Sequence, residues 1–220
     1  MENKEISKND GGMYATKNNN LFGVWLFFLL VFIDQLTKLF AEAYFAMPGS
    51  PDKLAVIPGW IYLCIEHNPG IAYGMGSDAS PALKIGVIAL TAVMMLALTV
   101  FYFKADKRRG FLRLALVFIV AGGIGNLIDR AYFKVWQEGA ALLDVGVRDM
   151  VDLNRFGFAV CNFADFFITG GAVMLVLALL FFDKEAFFPL TKKYKALAAE
   201  AAAQEEEKEA ERAKKKGKNG

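Results

Sequence analysis

The chain has very few of the side chains on which most metal sites and nucleophilic catalytic sites depend. Its 220 residues include one histidine, His67, and two cysteines, Cys64 and Cys161. A zinc site of the His/Cys kind needs three or four such ligands at close spacing, so we expect no metal. A single histidine outside any Ser/His/Asp pattern also argues against a catalytic triad. Two cysteine positions do not establish a disulfide, and we expect free thiols.

The chain also lacks an excess of charge of one sign. It has 25 Lys and Arg residues against 23 Asp and Glu residues, for a formal net charge of +2. The basic residues are scattered along the chain instead of lining an aromatic-bearing groove. This pattern gives no support for a nucleic-acid partner.

What the chain has in abundance is apolar sequence. Hydrophobic residues make up 55% of it, with twenty Phe, and the mean hydropathy is +0.34. A membrane-spanning helix needs roughly 20 mostly apolar residues. Four segments meet that requirement, at about 22–44, 82–103, 111–129 and 164–182. We therefore expect an integral membrane protein, with Ser80 and Pro81 starting the second span as N-cap and first helical residue.

The orientation of the spans follows from the Lys and Arg residues beside them, which accumulate on the cytoplasmic side of a membrane. Basic residues occur before the first span, in the link at 104–113 and after the fourth span. An even number of spans places both termini on one side, so we expect both to be cytoplasmic. A cleavable signal peptide at 17–43 is disfavoured because Asp34 and Lys38 interrupt the apolar run.

The remaining segments suggest a small surface element and two tails. Residues 53–67 are rich in β-branched and aromatic side chains and are broken by Pro58 and Gly59, which predicts a β hairpin or cradle on the outer side. The fold class is thus an all-α membrane protein with four transmembrane helices and a small outward-facing β cradle. We divide it into a disordered cytoplasmic tail at 1–20, a four-span domain at 21–183 and a charged, helical, solvated cytoplasmic tail at 184–220.

Ionisable residues interrupt the first span, where they are costly and usually face the interior of a helix bundle. Asp34 and Lys38 are four residues apart and so lie on one helical face, where they can pair. Two interpretations stay open at this point. The pair is either a structural ion pair that orients the helix or a direct contact to a substrate.

The third and fourth spans carry further polar residues towards their outer ends. Asn126, Asp129 and Arg130 form a stripe with Gly122 in "GGIGNLIDR", and Ala121 and Gly125 have a spacing that lets another helix approach closely. Asn162 and Asp165 precede the fourth span and share a face, and Asp149 lies in "VRDMVD". A packing stripe with helix-capping carboxylates would explain each motif alone. Together they indicate carboxylates that converge on one membrane face.

Two carboxylates held close together do not both ionise easily, so one keeps a proton while the other acts as a base towards water. This is the chemistry of aspartic proteases. It needs no metal, no serine nucleophile and no histidine, which suits this composition.

Taken in order, "DQLTK", "HNPGIAYG", "GGIGNLIDR", "VRDMVD" and "CNFAD" resemble the successive motif blocks of the lipoprotein signal peptidases, or signal peptidase II, the A8 family of aspartic peptidases. The resemblance covers about residues 22–182. It implies a four-helix membrane bundle with an outward β cradle, in the bacterial cytoplasmic (inner) membrane. It also implies an enzyme that cuts the signal peptide from prolipoproteins just before a diacylglyceryl-modified cysteine, beside membrane lipids and without a cofactor.

The resemblance also implies roles for individual residues. Asp149 and Asp165 would be the catalytic pair, near the outer face of the membrane. The substrate-binding residues would be Asn68, Asn126, Arg130 and Asn162, and the supporting residues Asp34, Lys38 and Asp129.

Two departures from the family pattern bear on these roles. His67 stands where the family often has Arg, which leaves a cationic contact there in doubt. The stretch after Arg130 is long and predicts an extra element, and Asp144 and Asp152 on either side of Asp149 allow a three-residue error in the assignment. The alternatives are a small intramembrane transporter and a noncatalytic protein that binds lipoprotein precursors.

Overall fold

Four long apolar helices and one small sheet make up the part of the chain that holds the polar motifs. The computed structural model describes residues 19–69, 80–133, 146–182 and 192–218. The elements in chain order are α1 (Asn19–Phe45), β1 (Leu54–Ile57), β2 (Ile61–Asn68), α2 (Pro81–Lys104), α3 (Gly110–Tyr132), β3 (Val147–Asp152), α4 (Phe163–Phe181) and α5 (Lys192–Lys218). In these described residues, α1 to α4 are long and apolar enough to cross a membrane. The four expected spans and the small sheet are therefore confirmed.

Helix α3 is the central helix of the bundle and contacts α1, α2 and α4. Three glycines of "GGIG" allow this close approach, each towards a different neighbour. A Cβ atom added at Gly122 would come within 2.3 Å of the Ala164 carbonyl oxygen of α4, and one at Gly123 within 2.1 Å of the Met95 sulfur of α2. At Gly125 it would be 2.6 Å from a carboxylate oxygen of Asp34 in α1. The small residues thus bring three helices to the polar end of α3.

The sheet is antiparallel with the strand order β1-β2-β3. The hairpin between β1 and β2 turns at Pro58 and at Gly59, whose φ of 81° favours glycine. The hairpin confirms the prediction for 53–67, whereas the third strand was not predicted. In the pairing of β2 with β3, Glu66 lies opposite Asp149, His67 opposite Arg148 and Asn68 opposite Val147.

Two helix starts follow local sequence rules. Ser80 caps α2 by accepting the Leu83 amide at 3.4 Å, and Pro81 follows it as expected. Asn162 caps α4 in a capping box with Asp165, where each side chain accepts a hydrogen bond from the other residue's main chain. The helix-capping role considered for Asp165 is therefore present, and it fixes the carboxylate at the start of α4.

Helix α5 has the charged composition expected of the tail, and it also contacts the bundle. The ring of Tyr194, which is buried, lies 6.4 Å from that of Phe182. Arg108 in the link between α2 and α3 pairs with Glu200 at 3.0 Å. The proposed tail at 1–20 is described only at its last two residues, which belong to α1.

Adjacent glycines in α4 provide a test of the helix packing. A Cβ added at Gly171 would lie 2.9 Å from the Ala115 carbonyl oxygen of α3, whereas one at Gly170 meets nothing within 4 Å. We expect Gly171→Ala to destabilise the protein by about 1–3 kcal/mol through overpacking. Gly170→Ala is the matched control and should leave the unfolding temperature in detergent unchanged or slightly raised. Equal unfolding temperatures for the two variants would contradict this packing.

Candidate active site

A cavity of about 380 Å³ opens where α3, α4, β2 and β3 meet. Its polar lining comprises both carboxylates of the expected catalytic pair, two asparagines and an arginine: Asp149, Asp165, Asn68, Asn126 and Arg130. The rest of the wall is largely apolar, with Phe158, Val160, Phe166 and Ile168 among its residues. The fold therefore brings residues from four separate motifs to a single cavity.

Asp149 is held in this cavity by two asparagine side chains. Asn162 Nδ2 donates to Asp149 Oδ1 at 2.6 Å, and Asn68 Nδ2 donates to Asp149 Oδ2 at 3.3 Å. Asn68 reaches Asp149 because β2 and β3 pair with Asn68 opposite Val147, so the two residues are close across the sheet. Asp149 is only 4% exposed, which makes its charged form costly.

Asp165 is the third residue of α4 and accepts hydrogen bonds through both carboxylate oxygens. Asn126 Nδ2 of α3 donates to Asp165 Oδ1 at 2.8 Å, and the Asn162 main-chain amide donates to Asp165 Oδ2 at 3.1 Å. These two hydrogen bonds fix the orientation of the Asp165 carboxylate.

The two carboxylates are joined by their asparagine partners. Asn162 Nδ2 donates to Asn126 Oδ1 at 3.1 Å as well as to Asp149, and its own Oδ1 accepts from the Asp165 amide at 3.1 Å. Both amide hydrogens of Asn162 are therefore used within the protein. Asn162 and Asn126 hold the carboxylates, and their direct contact with a substrate stays a prediction.

The two carboxylates have different electrostatic environments. The pKa of Asp149 is raised from 3.8 to about 7, first because burial penalises the charged form and then because the Asp165 charge repels it. Hydrogen bonds from Asn162 and Asn68 and the charge of Lys38 act in the opposite direction. Below a pH of about 7, Asp149 therefore holds a proton in the same cavity as Asp165. A carboxyl group that keeps its proton near neutral pH is the kind of group that general acid catalysis requires.

A buried ionic network lies behind the cavity. Lys38 Nζ is 2.8 Å from Asp34 Oδ2, 3.5 Å from Asp129 Oδ2 and 3.1 Å from Asn126 Oδ1. The side chains of Asp34, Lys38 and Asp129 are all fully buried. Asp34 Oδ1 also accepts the Ala164 amide at the start of α4 at 2.9 Å. Of the two interpretations of Asp34 and Lys38, the structural ion pair fits these contacts.

The structure describes His67 and Asp152, two of the residues at which the sequence departs from the family pattern or leaves its assignment open. His67 Nε2 is 3.8 Å from Glu42 Oε1, and its ring lies edge-on to Phe133. Asp152 forms an ion pair with Lys53, and this contact holds the pKa of Asp152 below its usual value. Asp152 does not line the cavity, whereas Asp149 does. Asp144 and most of the long stretch after Arg130 lie outside the described residues.

The thiols are free, as expected, and are poor nucleophiles. Burial raises the pKa of Cys64 to about 11 and that of Cys161 to about 12. Both thiols are therefore protonated at neutral pH, although Cys161 lies in the cavity wall. Covalent catalysis by a thiolate is disfavoured on this ground.

Three residues that contribute to the site, Arg148, Glu42 and Gln35, were not predicted from the sequence. Arg148 donates to Asp129 at 2.9 Å, to Glu42 at 3.0 Å and to Gln35 at 3.2 Å. Arg148 and Gln35 stand inside the quoted motifs, next to Asp149 and Asp34. Alternation along a strand, which places neighbours of Asp149 on the opposite face, was the one available signal for Arg148.

Comparison with known proteins identifies similar chains over this whole region. The family model described as signal peptidase (SPase) II matches residues 26–181. A lipoprotein signal peptidase from Fusobacterium nucleatum subsp. nucleatum is 30% identical over 169 residues, which cover 76% of this chain and 91% of that protein. Another, from Staphylococcus haemolyticus, is 32% identical over 154 residues, covering 69% and 85% of the respective chains.

A solved structure has a similar fold. It is described as a bacterial membrane enzyme structure obtained by the in meso method at 2.3 Å resolution, and it matches with a TM-score of 0.56 and 28% identity. The match covers 76% of this chain and 90% of the solved chain. The stretch matched by the family model includes the cavity residues Asn68 to Thr169 and both carboxylates.

The contribution of the Asp165 charge to Asp149 can be measured directly. Because that charge raises the pKa of Asp149, Asp165→Asn should lower the pKa below about 7, while burial keeps it above 3.8. The pH dependence of the protonated carboxyl band in difference infrared spectra would report this, with Asp149→Asn identifying the band. Asp106→Asn, in the exposed link, is the control. An unchanged midpoint in Asp165→Asn would contradict the coupling.

Proposed function

This chain belongs to the signal peptidase II family, and we propose that it works as an aspartic endopeptidase with Asp149 and Asp165 as its catalytic pair. Family membership makes it a bacterial cytoplasmic membrane peptidase that removes signal peptides from lipoprotein precursors. The family and its relatives do not favour an intramembrane transporter or a noncatalytic binding protein. The single observation that carries the proposal is the shared cavity, which Asp149 and Asp165 both line and in which burial raises the pKa of Asp149 to about 7.

The proposed reaction has no covalent intermediate. Asp165 takes a proton from a water molecule, and the oxygen of that water attacks the scissile carbonyl carbon. Asp149 gives its proton to the carbonyl oxygen, which forms a tetrahedral diol. When the C–N bond breaks, Asp165 gives its proton to the leaving nitrogen and a diol hydroxyl gives its proton to Asp149, so the pair returns to its starting state with one proton. The pair titrates as a unit, because each carboxylate changes the proton affinity of the other.

The polar wall of the cavity supports roles on the substrate side. Asn68 and Arg130 line the cavity beside the carboxylates. We assign Asn68 and Arg130 to the peptide backbone around the scissile bond. Asn126 and Asn162 contribute by fixing the orientation of Asp165 and Asp149, which is the precision that this chemistry needs.

The apolar wall supports a lipid-modified substrate. Phe158, Val160, Phe166 and Ile168 lie in the same cavity as the carboxylates. We propose that the diacylglyceryl chains of the precursor and its apolar signal helix pack along this side, where membrane lipids surround the bundle. Removal of apolar surface from water would then favour the modified cysteine over an unmodified one.

We also propose the orientation that the basic residues indicate. Lys107, Arg108 and Arg109 lie in the link between α2 and α3, at the opposite end of α3 from Asp129, and Lys104 and Arg113 lie in the adjoining turns of the two helices. With this link and both termini in the cytoplasm, the catalytic pair lies near the outer face. A substrate exported through the membrane would present its cleavage site at that face.

Neutralising either catalytic carboxylate should stop cleavage. We expect Asp149→Asn and Asp165→Asn to lower kcat on a diacylglyceryl-modified prolipoprotein by about 10²–10⁴-fold, because each removes a general acid or base. Asp152→Asn is the matched control and should keep wild-type activity, since Asp152 pairs with Lys53 outside the cavity. Wild-type rates for folded Asp149→Asn or Asp165→Asn protein would refute the proposal.

The pH dependence of kcat/KM should follow the same pair. The pKa of Asp149 is raised to about 7, so its acid form is present below that pH and is lost as the pH rises through it. We therefore expect kcat/KM, which reports the groups of the free enzyme, to fall about tenfold per pH unit above about 7. The measurement is single-turnover cleavage in detergent from pH 5 to 9, with folding checked at each pH. A rate that stays constant to pH 9 would be incompatible with Asp149 as the acid.

A further inference from the structure

Arg148 lies on the face of β3 that is turned away from the cavity. Val147 and Asp149 both line the cavity, and successive side chains of a strand point to opposite faces. The guanidinium of Arg148 accordingly extends towards α1 and the end of α3, and it is only 5% exposed. A buried cation next to a catalytic carboxylate, yet not in the cavity, needs a role of its own.

The contacts of Arg148 tie three elements together. Nη2 and Nε donate to the two oxygens of Asp129 in α3, at 2.9 and 3.2 Å. Nη1 donates to Glu42 and Nη2 to Gln35, both in α1, at 3.0 and 3.2 Å. The guanidinium carbon also lies 5.3 Å from the centre of the Phe133 ring. This forked arrangement matches the geometry of Arg and cannot be reproduced by Lys.

We propose that Arg148 is a positioning residue for the catalytic pair. Its main-chain amide donates to Asp129 Oδ2 at 3.0 Å, so one carboxylate holds both the side chain and the backbone of the residue directly before Asp149. This double attachment fixes the register of β3 against α3. A slip of one residue would turn Asp149 out of the cavity.

The same network reaches the second carboxylate. Asp129 also contacts Lys38 at 3.5 Å, Lys38 donates to Asn126 Oδ1 at 3.1 Å, and Asn126 donates to Asp165 Oδ1 at 2.8 Å. Arg148 is therefore linked to Asp149 through the chain and to Asp165 through Asp129, Lys38 and Asn126. Loss of its guanidinium would disturb the relative placement of the two carboxylates.

Position 67 lies directly across the strand pair from position 148 and faces the same acidic residue. His67 pairs with Arg148 in the register of β2 and β3, and both side chains reach Glu42. Both also contact the Phe133 ring. A guanidinium placed at position 67 would thus enter the pocket of Glu42 and Asp129 from the neighbouring strand.

The first experiment is kinetic and rests on the proposed function. In folded, inserted protein, Arg148→Met should lower kcat on the lipid-modified precursor by about 10²-fold, with little change in KM. The reason is that the two carboxylates are displaced, whereas the apolar cavity wall that binds the substrate is not. Arg148→Lys should recover only a small part of the rate. Arg155→Met is the control, because Arg155 is exposed and lies over the Trp60 ring. An unchanged kcat in Arg148→Met would overturn the proposal.

The second experiment is a rescue across the strand pair. We expect the kcat of the double variant His67→Arg/Arg148→Val to be at least about tenfold higher than that of Arg148→Val, because a guanidinium again contacts the same carboxylates. His67→Arg alone should not raise the wild-type rate. If the double variant is no more active than Arg148→Val, the inference that positions 67 and 148 share one pocket is wrong.

A third measurement does not depend on activity, so it separates this inference from the proposed function. Hydrogen exchange of the β3 amides at 147–152 should become faster in Arg148→Met and in Arg148→Val, and it should return towards wild type in His67→Arg/Arg148→Val. Exchange in the centres of α3 and α4 should stay unchanged. Unaltered exchange of β3 in Arg148→Met overturns the positioning role. Wild-type protein that is folded but inert on the precursor overturns the proposed function instead, and the exchange result still decides the role of Arg148.

Discussion

The carboxylate of Asp129 lies fully buried between two cations that arrive from different elements, Lys38 of α1 and Arg148 of β3. Each cation leads to one of the two carboxylates of the cavity. Arg148 is the chain neighbour of Asp149, and Lys38 reaches Asp165 through Asn126. A buried charge is strongly destabilising without its partners, so α1, α3 and β3 must be assembled together for any of these contacts to be favourable. The geometry of the cavity depends on this one arrangement.

Asp149 and Asp165 are the same residue type, yet the fold holds them in different surroundings. Asp149 is on a buried strand and its hydrogen-bond donors are neutral amides, so burial raises its pKa to about 7. Asp165 lies in the first turn of α4, where a capping box with Asn162 holds its carboxylate. A carboxyl group that keeps its proton beside a second carboxylate is the pairing that acid–base chemistry uses in aspartic proteases. Rigid helices and a paired strand hold both, which limits their motion relative to a substrate.

How far the sequence predicts this structure depends on whether a feature is local. The four spans and the β1–β2 hairpin were predicted because apolar length and turn residues are local properties. The motif order also identified Asp149 and Asp165, which the structure brings to one cavity.

Arg148, Gln35 and Glu42 were missed because their contacts join positions 106 and 113 residues apart. The third strand was missed for a similar reason, since β3 is stabilised by pairing with a strand on the far side of two helices in the chain. That both amide hydrogens of Asn162 are used within the protein likewise could not be predicted without the fold.

The most direct test of this account is a structure of Asp165→Asn protein with an uncleaved, diacylglyceryl-modified precursor bound. We expect the scissile carbonyl oxygen within hydrogen-bond distance of Asp149, about 3 Å, with the carbon facing the side chain at position 165 across room for one water molecule. The diacylglyceryl chains should lie along the wall formed by Phe158, Phe166 and Ile168. A scissile bond held elsewhere on the protein, with the cavity between β3 and α4 unoccupied, would contradict the assignment of this cavity as the active site.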